Sequence, residues 1–467
     1  MENKASRRRK QKGLTMIVTV MALGVIIPFV GLAIDASLLY AIKAKMQAAV
    51  DSAALSGARS LNVGMDLSSQ VASATATAQA FFNANFPSGH LGTTNCSVTI
   101  NVAESSYRTR TVATTASLTA PTYFMRLLGV QNRQLRASGT ASRRDVNMVL
   151  VLDRSSSMSG VMTTMKSAAR DFVSKFAEGR DNVGLIVFGG SSVLAFPNPS
   201  PIGPESDFKS SSPSVDTLIS QMVNGGNTGT AQAIWLAYQE LVKRNDPGAL
   251  NLIVFFTDGL PNGLVGEFND PNSSKNLLRT TSTCTYRLVS NRSMLGFISQ
   301  TSGFAPTGTT VGIKKLTAST VSSVSEGYIT TNSNNCYYNG DETKMRQDVL
   351  KMPNPDYYGN ATTGYHSVDL TKVDSPQQIG YASLNAADSA VQRIRQDNSL
   401  NVVIYTIGYA GGSEVPDETW MKRISNDPSS ASYTSSEPTG LYIMAPSTGD
   451  LSAAFARVAS EILRLSL

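Results

Sequence analysis

Hydrophobic positions change their rhythm three times along the chain. From Leu14 to Ile34 they run without a single charge. That is about 21 residues, or about one bilayer thickness at 1.5 Å per residue, and it predicts a transmembrane helix. From Asp35 to Ser60 the apolar residues Leu39, Ile42, Met46, Ala49 and Ala53 recur at spacings of three and four. This predicts that the helix continues out of the membrane with a narrow apolar seam, packed on its own domain or offered to another subunit. A second Ala/Thr-rich helix is predicted over Ser69–Phe86. Alternating strands follow at Cys96–Val102, Arg110–Leu118 and Leu135–Ala141, with a short helix at Tyr123–Leu128. From Val146 onward, apolar runs and helical periods take turns. The predicted strands are a first one at Val149–Asp153, then Asn182–Phe188, Val193–Phe196, Leu250–Thr257, Val402–Ile407 and Leu441–Met444, the last at an edge. The predicted helices are Val161–Phe176, Thr230–Lys243, Ser375–Gln396, Trp420–Ser425 and Leu451–Leu465. Strands alternating with helices predict an α/β fold with a doubly wound, mostly parallel sheet.

One stretch breaks the alternation. Residues 260–374 are rich in Ser, Thr, Asn, Gly and Tyr, carry no strong helical period, and are too long for a loop in a compact domain. They read as an inserted β-rich or irregular subdomain that leaves the sheet after its fourth or central strand. The organisation is then a basic tail at 1–13, an anchor at 14–34, and a small pilin-like α+β region at 35–142. The α/β domain covers 143–259 and 375–467, interrupted by the insertion. Cys284 and Cys336 both fall in the insertion, where an extracytoplasmic disulfide would staple a segment poor in core residues; Cys96 is then left over.

Charge alters this picture only at the amino terminus. The net charge is +6, and Lys4, Arg7, Arg8, Arg9, Lys10 and Lys12 against Glu2 account for +5 of it. The remainder is nearly neutral, so no basic stripe favours nucleic acid. Six basic residues ahead of the apolar run predict a cytoplasmic amino terminus, with everything after Asp35 outside the membrane. A cleaved secretory signal is the competing reading, with a usually shorter apolar region and a small-x-small cleavage site. Type IV pilins resemble the Gly13-Leu14 junction, but Val18 stands where they carry Glu.

The candidate chemistry sits at the ends of two predicted strands. Val149-Leu150-Val151-Leu152-Asp153-Arg154-Ser155-Ser156-Ser157 delivers one carboxylate and two hydroxyls into a loop, and Leu252–Thr257 ends in Asp258-Gly259. Between them, Asn224-Gly225-Gly226-Asn227-Thr228 places a hydroxyl after a Gly-rich turn and ahead of a helix. In an open α/β sheet such loops converge at the carboxyl edge. Oxygen donors with few carboxylates suit a hard divalent cation that keeps some of its water.

This constellation resembles the metal-ion-dependent adhesion site of the von Willebrand factor A family, a Rossmann-like fold. The family's Asp-x-Ser-x-Ser, Thr and Asp find Asp153, Ser155, Ser157, Thr228 and Asp258 in order. The resemblance implies a bound divalent cation, Mg²⁺ first and Mn²⁺ or Ca²⁺ as alternatives. It also implies that Asp153, Ser155, Ser157 and Thr228 ligate directly or through water, that Asp258 often acts through water, and that a partner's Asp or Glu takes an open position. A second resemblance lies upstream. Gly31-Leu32-Ala33-Ile34-Asp35 and Lys45-Met46-Gln47-Ala48-Ala49-Val50-Asp51-Ser52-Ala53-Ala54-Leu55-Ser56-Gly57-Ala58 look like the amino-terminal region of TadE/TadG-like pilus-assembly proteins. Together these imply a single-pass protein of the bacterial cytoplasmic membrane, its later domains periplasmic or extracellular. Its expected role is binding pilus or pilus-assembly components in the assembly, anchoring or adhesion of Flp/Tad pili. Enzymatic activity is not expected. His90 and His366 are the only histidines, no His-Glu-x-x-His helix exists, and no Gly-x-Ser-x-Gly elbow is present. The alternatives are a structural envelope protein with a vestigial site, or a metal-assisted hydrolase using Ser155.

Overall fold

The computed structural model describes residues 4–62, 67–106, 109–190, 192–269, 288–290, 293–299, 314–318, 324–328, 352–371, 376–412 and 415–465. Cys284 and Cys336, and with them the expected disulfide, lie outside these residues, as does most of the 260–374 stretch. Residues 1–143 form one compact unit and 144–466 another.

In the first unit Lys4–Arg59 (α1) is a single helix with Pro28 inside it. Among the described residues it is the one helix long and apolar enough to cross a bilayer, by length and composition. Its apolar side chains from Met16 to Ile34 are exposed. Beyond them the seam turns inward. Ile42, Met46, Ala49, Val50 and Ala53 are buried with Ala78, Phe82 and Phe86 of Leu67–Asn85 (α2). The other side of this core is a three-stranded sheet in the order Thr94–Ser106 (β1), Thr109–Pro121 (β2) and Asn132–Arg144 (β3). Ala116, Leu118 and Ala120 of β2 close the cluster. The seam therefore packs on its own unit and is not held out for another subunit. Cys96 on β1 is an exposed free thiol.

The second unit carries a six-stranded sheet. Its elements are Val146–Asp153 (β4), Met162–Ser174 (α3), Asn182–Phe188 (β5), Ser192–Phe196 (β6), Val215–Ser220 (α4), Thr230–Arg244 (α5) and Leu250–Thr257 (β7). After a second sheet come Pro376–Arg395 (α6), Val403–Tyr409 (β13), Glu418–Ser425 (α7), Leu441–Ala445 (β14) and Leu451–Leu465 (α8). The strand order is β14-β13-β7-β4-β5-β6, parallel throughout except for antiparallel β6. Successive side chains of a strand point to opposite faces, and crossover helices cover both, so the strands read as unbroken apolar runs. Val149, Val151, Ile253 and Phe255 join the core with α5, α6 and α7. Leu150, Leu152, Val254 and Phe256 join the opposite core with α3, α4 and α8.

The second sheet contains Gly263–Asn269 (β8), Leu288–Ser290 (β9), Ser293–Ser299 (β10), Lys314–Ala318 (β11) and Val324–Tyr328 (β12), in the order β12-β11-β10-β8 with β9 on β10. The stretch 260–374 is not wholly an appendage, because both its ends join the α/β core. Leu264 and Met352 are buried in the same cluster as Ile379, Ala382 and Ala387 of α6, with Tyr365, Val368 and Leu370 packed against it. Composition hid this, since the few apolar residues concerned are scattered among Ser, Asn and Gly.

Uniform apolar strands have little to fix their register, and here buried amides do so at the amino ends. Asn182 Nδ2 donates to Asn147 Oδ1 at 2.6 Å, and Asn147 Nδ2 donates to Asn251 Oδ1 at 3.0 Å. These three residues face one another across β5, β4 and β7. Asn251 Nδ2 finishes the ladder on the carbonyls of Asp246 and Leu400, at 2.9 and 3.1 Å. Asn147→Leu strands two buried amides, so it is expected to cost about 2–4 kcal/mol. Denaturant unfolding of the full-length protein checks this, as a lower midpoint with an unchanged slope.

Candidate functional site

The strand order reverses direction at β4. The chain moves from β4 to β5 and β6 on one side, then returns to β7, β13 and β14 on the other. The carboxyl ends of β4 and β7 therefore flank the point where crossovers diverge, which is where open α/β sheets leave a crevice. Asp153 is the last residue of β4, and Asp258 follows the last residue of β7. Both are fully buried.

Short polar contacts bring four of the five expected residues together. Ser157 Oγ donates to Asp258 Oδ1 at 2.9 Å, and Ser155 Oγ lies 3.4 Å from the same oxygen. The two serine hydroxyls are 2.9 Å apart. The Ser155 backbone N–H donates to Asp153 Oδ1 at 2.7 Å, closing an Asx-type turn that aims the following hydroxyls back over the strand end. Thr228, also buried, is held differently. Its N–H donates to Asn262 Oδ1 at 2.7 Å, and its carbonyl accepts from the Asn262 N–H at 3.0 Å. Asn262 thus latches the Thr228 loop to the segment that carries Asp258.

Asn262 was not apparent from the sequence, and neither was Thr257, whose hydroxyl donates to Asp153 Oδ2 at 2.5 Å. Thr257 reads as the last residue of an apolar strand. Only the parallel pairing of Leu152 with Phe256 puts Thr257 beside Asp153.

Backbone contacts fix the loops relative to one another. The Gly225 N–H donates to the Arg154 carbonyl at 2.6 Å, and the Ser156 N–H to the Gly226 carbonyl at 3.0 Å. The Gly229 N–H donates to the Gly189 carbonyl at 2.7 Å. A Cβ on Gly229 would lie 2.7 Å from the Gly190 oxygen, and one on Gly189 would lie 2.7 Å from the Gly225 oxygen. The glycines here let three loops touch through their backbones.

The site's electrostatics follow from burial. Removal from water, and next the neighbouring Asp258 carboxylate, push the Asp153 carboxyl up to about 7, against bonds from Thr257 and Ser155 that favour its charged form. A buried pair of this kind calls for a counter-charge. The donor set of two carboxylates and three hydroxyls fits a hard divalent cation, with Asp153, Ser155, Ser157, Thr228 and Asp258 as the residues that would hold it. Among the described residues there is no group of three or more His, Cys, Asp or Glu that could hold a metal, so hydroxyls would have to supply most of the donors to any ion bound here. His90 lies edge-on to Phe86, and His366 stacks on Tyr381 with ring centroids 4.3 Å apart.

Residues 148–260 match the von Willebrand factor type A domain family, and residues 13–60 match the putative Flp pilus-assembly TadE/G-like family. The chain thus joins a TadE/G-like amino-terminal segment to an α/β domain of the von Willebrand factor A type. No curated protein matches it. Among similar solved structures is the pilus adhesin SpaC from Lactobacillus rhamnosus GG in its open conformation. Identity is 11% over 81% of this chain and 35% of that one, with a TM-score of 0.38. Another is the vWF domain of the type V pili tip protein Mfa5 from Porphyromonas gingivalis, at 14% identity over 70% of this chain and 98% of that one, TM-score 0.37. A third is the adhesive tip pilin GBS104 from Group B Streptococcus agalactiae, at 12% identity over 78% and 67%, TM-score 0.36. The chain spans about a third of the length of the SpaC structure.

The raised Asp153 carboxyl sets a pH dependence. Relative to an unfolded value of 3.8, a folded value near 7 means that the folded state holds a proton the unfolded state has lost. The stability Asp153 contributes is present below 3.8 and lost as pH rises towards 7. In chelator, the melting temperature of the α/β unit is therefore expected to fall across this window. Asp258→Asn, which removes the repulsion but not the burial, is expected to flatten part of the fall, by about 2–4 °C for each kcal/mol relieved. Scanning calorimetry at a series of pH values reads both.

Proposed function

We propose that this chain is a membrane-anchored, pilus-associated protein-binding module. Its α/β unit holds a divalent cation, Mg²⁺ first and Mn²⁺ or Ca²⁺ next, at Asp153, Ser155, Ser157, Thr228 and Asp258. When bound, the ion would supply an electrophilic centre with an open position for an Asp or Glu of a partner protein. The observation that carries this reading is the convergence of two fully buried carboxylates and the Ser155 and Ser157 hydroxyls at the point where the sheet changes direction.

The chain's own residues divide the work. Thr257 and the Ser155 N–H orient Asp153 from below, so that its carboxylate is fixed before any ligand arrives. Ser155 and Ser157 hold Asp258 through their hydroxyls. Asn262 and the Gly225–Gly226 contacts keep the Thr228 loop at the rim. Two carboxylates formally balance a divalent ion, and the three neutral hydroxyls beside them leave it a coordination position that a partner's carboxylate can fill.

The TadE/G-like match of residues 13–60 supports pilus or pilus-assembly components as partners. The apolar span of α1 supports anchoring in the cytoplasmic membrane, with its basic amino end inside and the α/β unit outside.

The test is thermal unfolding of the full chain in detergent, with and without Mg²⁺, Mn²⁺ and Ca²⁺, beside Asp153→Ala. A hundredfold excess of ion over its dissociation constant is expected to add about 2.7 kcal/mol to the parent and nothing to the variant. Asp153→Ala is also expected to abolish ion-dependent capture of pilus components. An ion-independent parent would leave the structural envelope reading, with a vestigial site.

A further inference from the structure

We infer that the loop Tyr123–Leu128 is a lipid-contacting element, held by Asp35 against the outer end of the apolar span so that Leu127 and Leu128 enter the bilayer interface. This rests on the membrane reading of α1 and adds a second contact to it.

Asp35 is the first charged residue after the uncharged run, and it is fully buried. Its carboxylate accepts three backbone N–H bonds from one loop. Tyr123 donates to Oδ1 at 3.0 Å, and Phe124 and Met125 donate to Oδ2 at 2.9 and 2.6 Å. Three charge-assisted bonds to consecutive amides fix a loop's position and orientation. The contact continues deeper along the helix. A Cβ on Gly31 would lie 2.5 Å from Phe124 Cδ1, so the Phe124 ring lies directly on that glycine. Gly31 precedes Asp35 by one helical turn, about 6 Å further into the apolar span. The loop therefore lies beside the end of the span and not beyond it.

What the loop presents there is apolar. Leu127 and Leu128 are 81% and 74% exposed, and Tyr123 is 53% exposed. Phe29, Leu32 and Ile34, which flank Gly31 on the helix, are exposed as well. A short turn over Met125–Leu128 ends at Gly129 in the left-handed region and carries the exposed Arg126 beside the two leucines. A tyrosine, two leucines and an arginine exposed on one short loop beside the end of the span are the composition of an interfacial contact. Water offers two adjacent exposed leucines nothing, whereas acyl chains gain from their burial. The occupant is thus a lipid surface, with anionic headgroups met by Arg126.

Depth-dependent fluorescence quenching tests this with the full chain in vesicles of phosphatidylcholine and phosphatidylglycerol carrying brominated acyl chains. Leu127→Trp and Met21→Trp are compared with the parent, whose own Trp235 and Trp420 set the background. Both introduced tryptophans are expected to be quenched, and Asp35→Asn is expected to reduce quenching at position 127 while leaving position 21 unchanged. Quenching at 21 without any at 127 overturns the lipid contact but keeps the span in the bilayer. No quenching at 21 overturns the membrane reading and this inference with it. Undiminished quenching at 127 in Asp35→Asn overturns the role of Asp35 as the lock.

Discussion

Two carboxylates removed from water at the ends of adjacent strands are the constraint on which the α/β unit is organised. Burial disfavours their charge, and proximity disfavours it again, which is why Asp153 is pushed up to about 7. A fold selected for stability alone has no reason to keep such a pair. Its surroundings are built to retain it: Thr257 and the Ser155 N–H hold one carboxylate, the Ser155 and Ser157 hydroxyls hold the other, and three glycine contacts leave no space for the loops to relax. The asparagine ladder across β5, β4 and β7 works at the opposite end of the same strands. By fixing register there, it fixes which residues emerge together at the carboxyl edge, since a slip of one residue would turn Asp153 to the other face.

Legibility in the sequence followed the strength of periodicity. The strands Asn182–Phe188 and Leu250–Thr257 and the helix Leu451–Leu465 were readable to the residue, because buried parallel strands are continuous apolar runs and the last helix has a clean apolar face. The short helix Val215–Ser220 was not, since six residues are less than two turns and leave no period to detect. The antiparallel turn-back of Ser192–Phe196 was hidden for another reason: strand direction is a property of the connection, not of the strand.

The candidate site was half legible. Asp153, Ser155, Ser157 and Asp258 stand out as polar residues at the ends of apolar runs, and the structure brings them to bonding distance. Thr257 and Asn262 do not stand out. Each acts through a partner far away in the chain, Asp153 and Thr228 respectively, and only tertiary pairing reveals it. The same holds for Asp35, which reads as the polar end of an apolar helix. Its partners are some 88 to 90 positions later, in a loop whose own sequence looks like an ordinary short helix.

Buried carboxylates in this chain thus differ in whether their donors outweigh burial and neighbouring charge. Asp35 receives three backbone N–H bonds and pins a loop. Asp427 receives N–H bonds from Ser429 and Tyr442 and the Ser429 hydroxyl, and although burial raises its carboxyl, these bonds outweigh it and hold the group below the usual range. Such groups are complete within the fold, and a ligand has nothing to offer them. Asp153 also has bonds, yet burial and the facing Asp258 prevail and its carboxyl moves the other way. Within one unit the two shifts run in opposite directions, Asp427 down and Asp153 up. The convergence of Asp153 and Asp258 with the Ser155 and Ser157 hydroxyls at the β4–β7 crevice is what supports our proposal that a cation, and across it another protein, binds there.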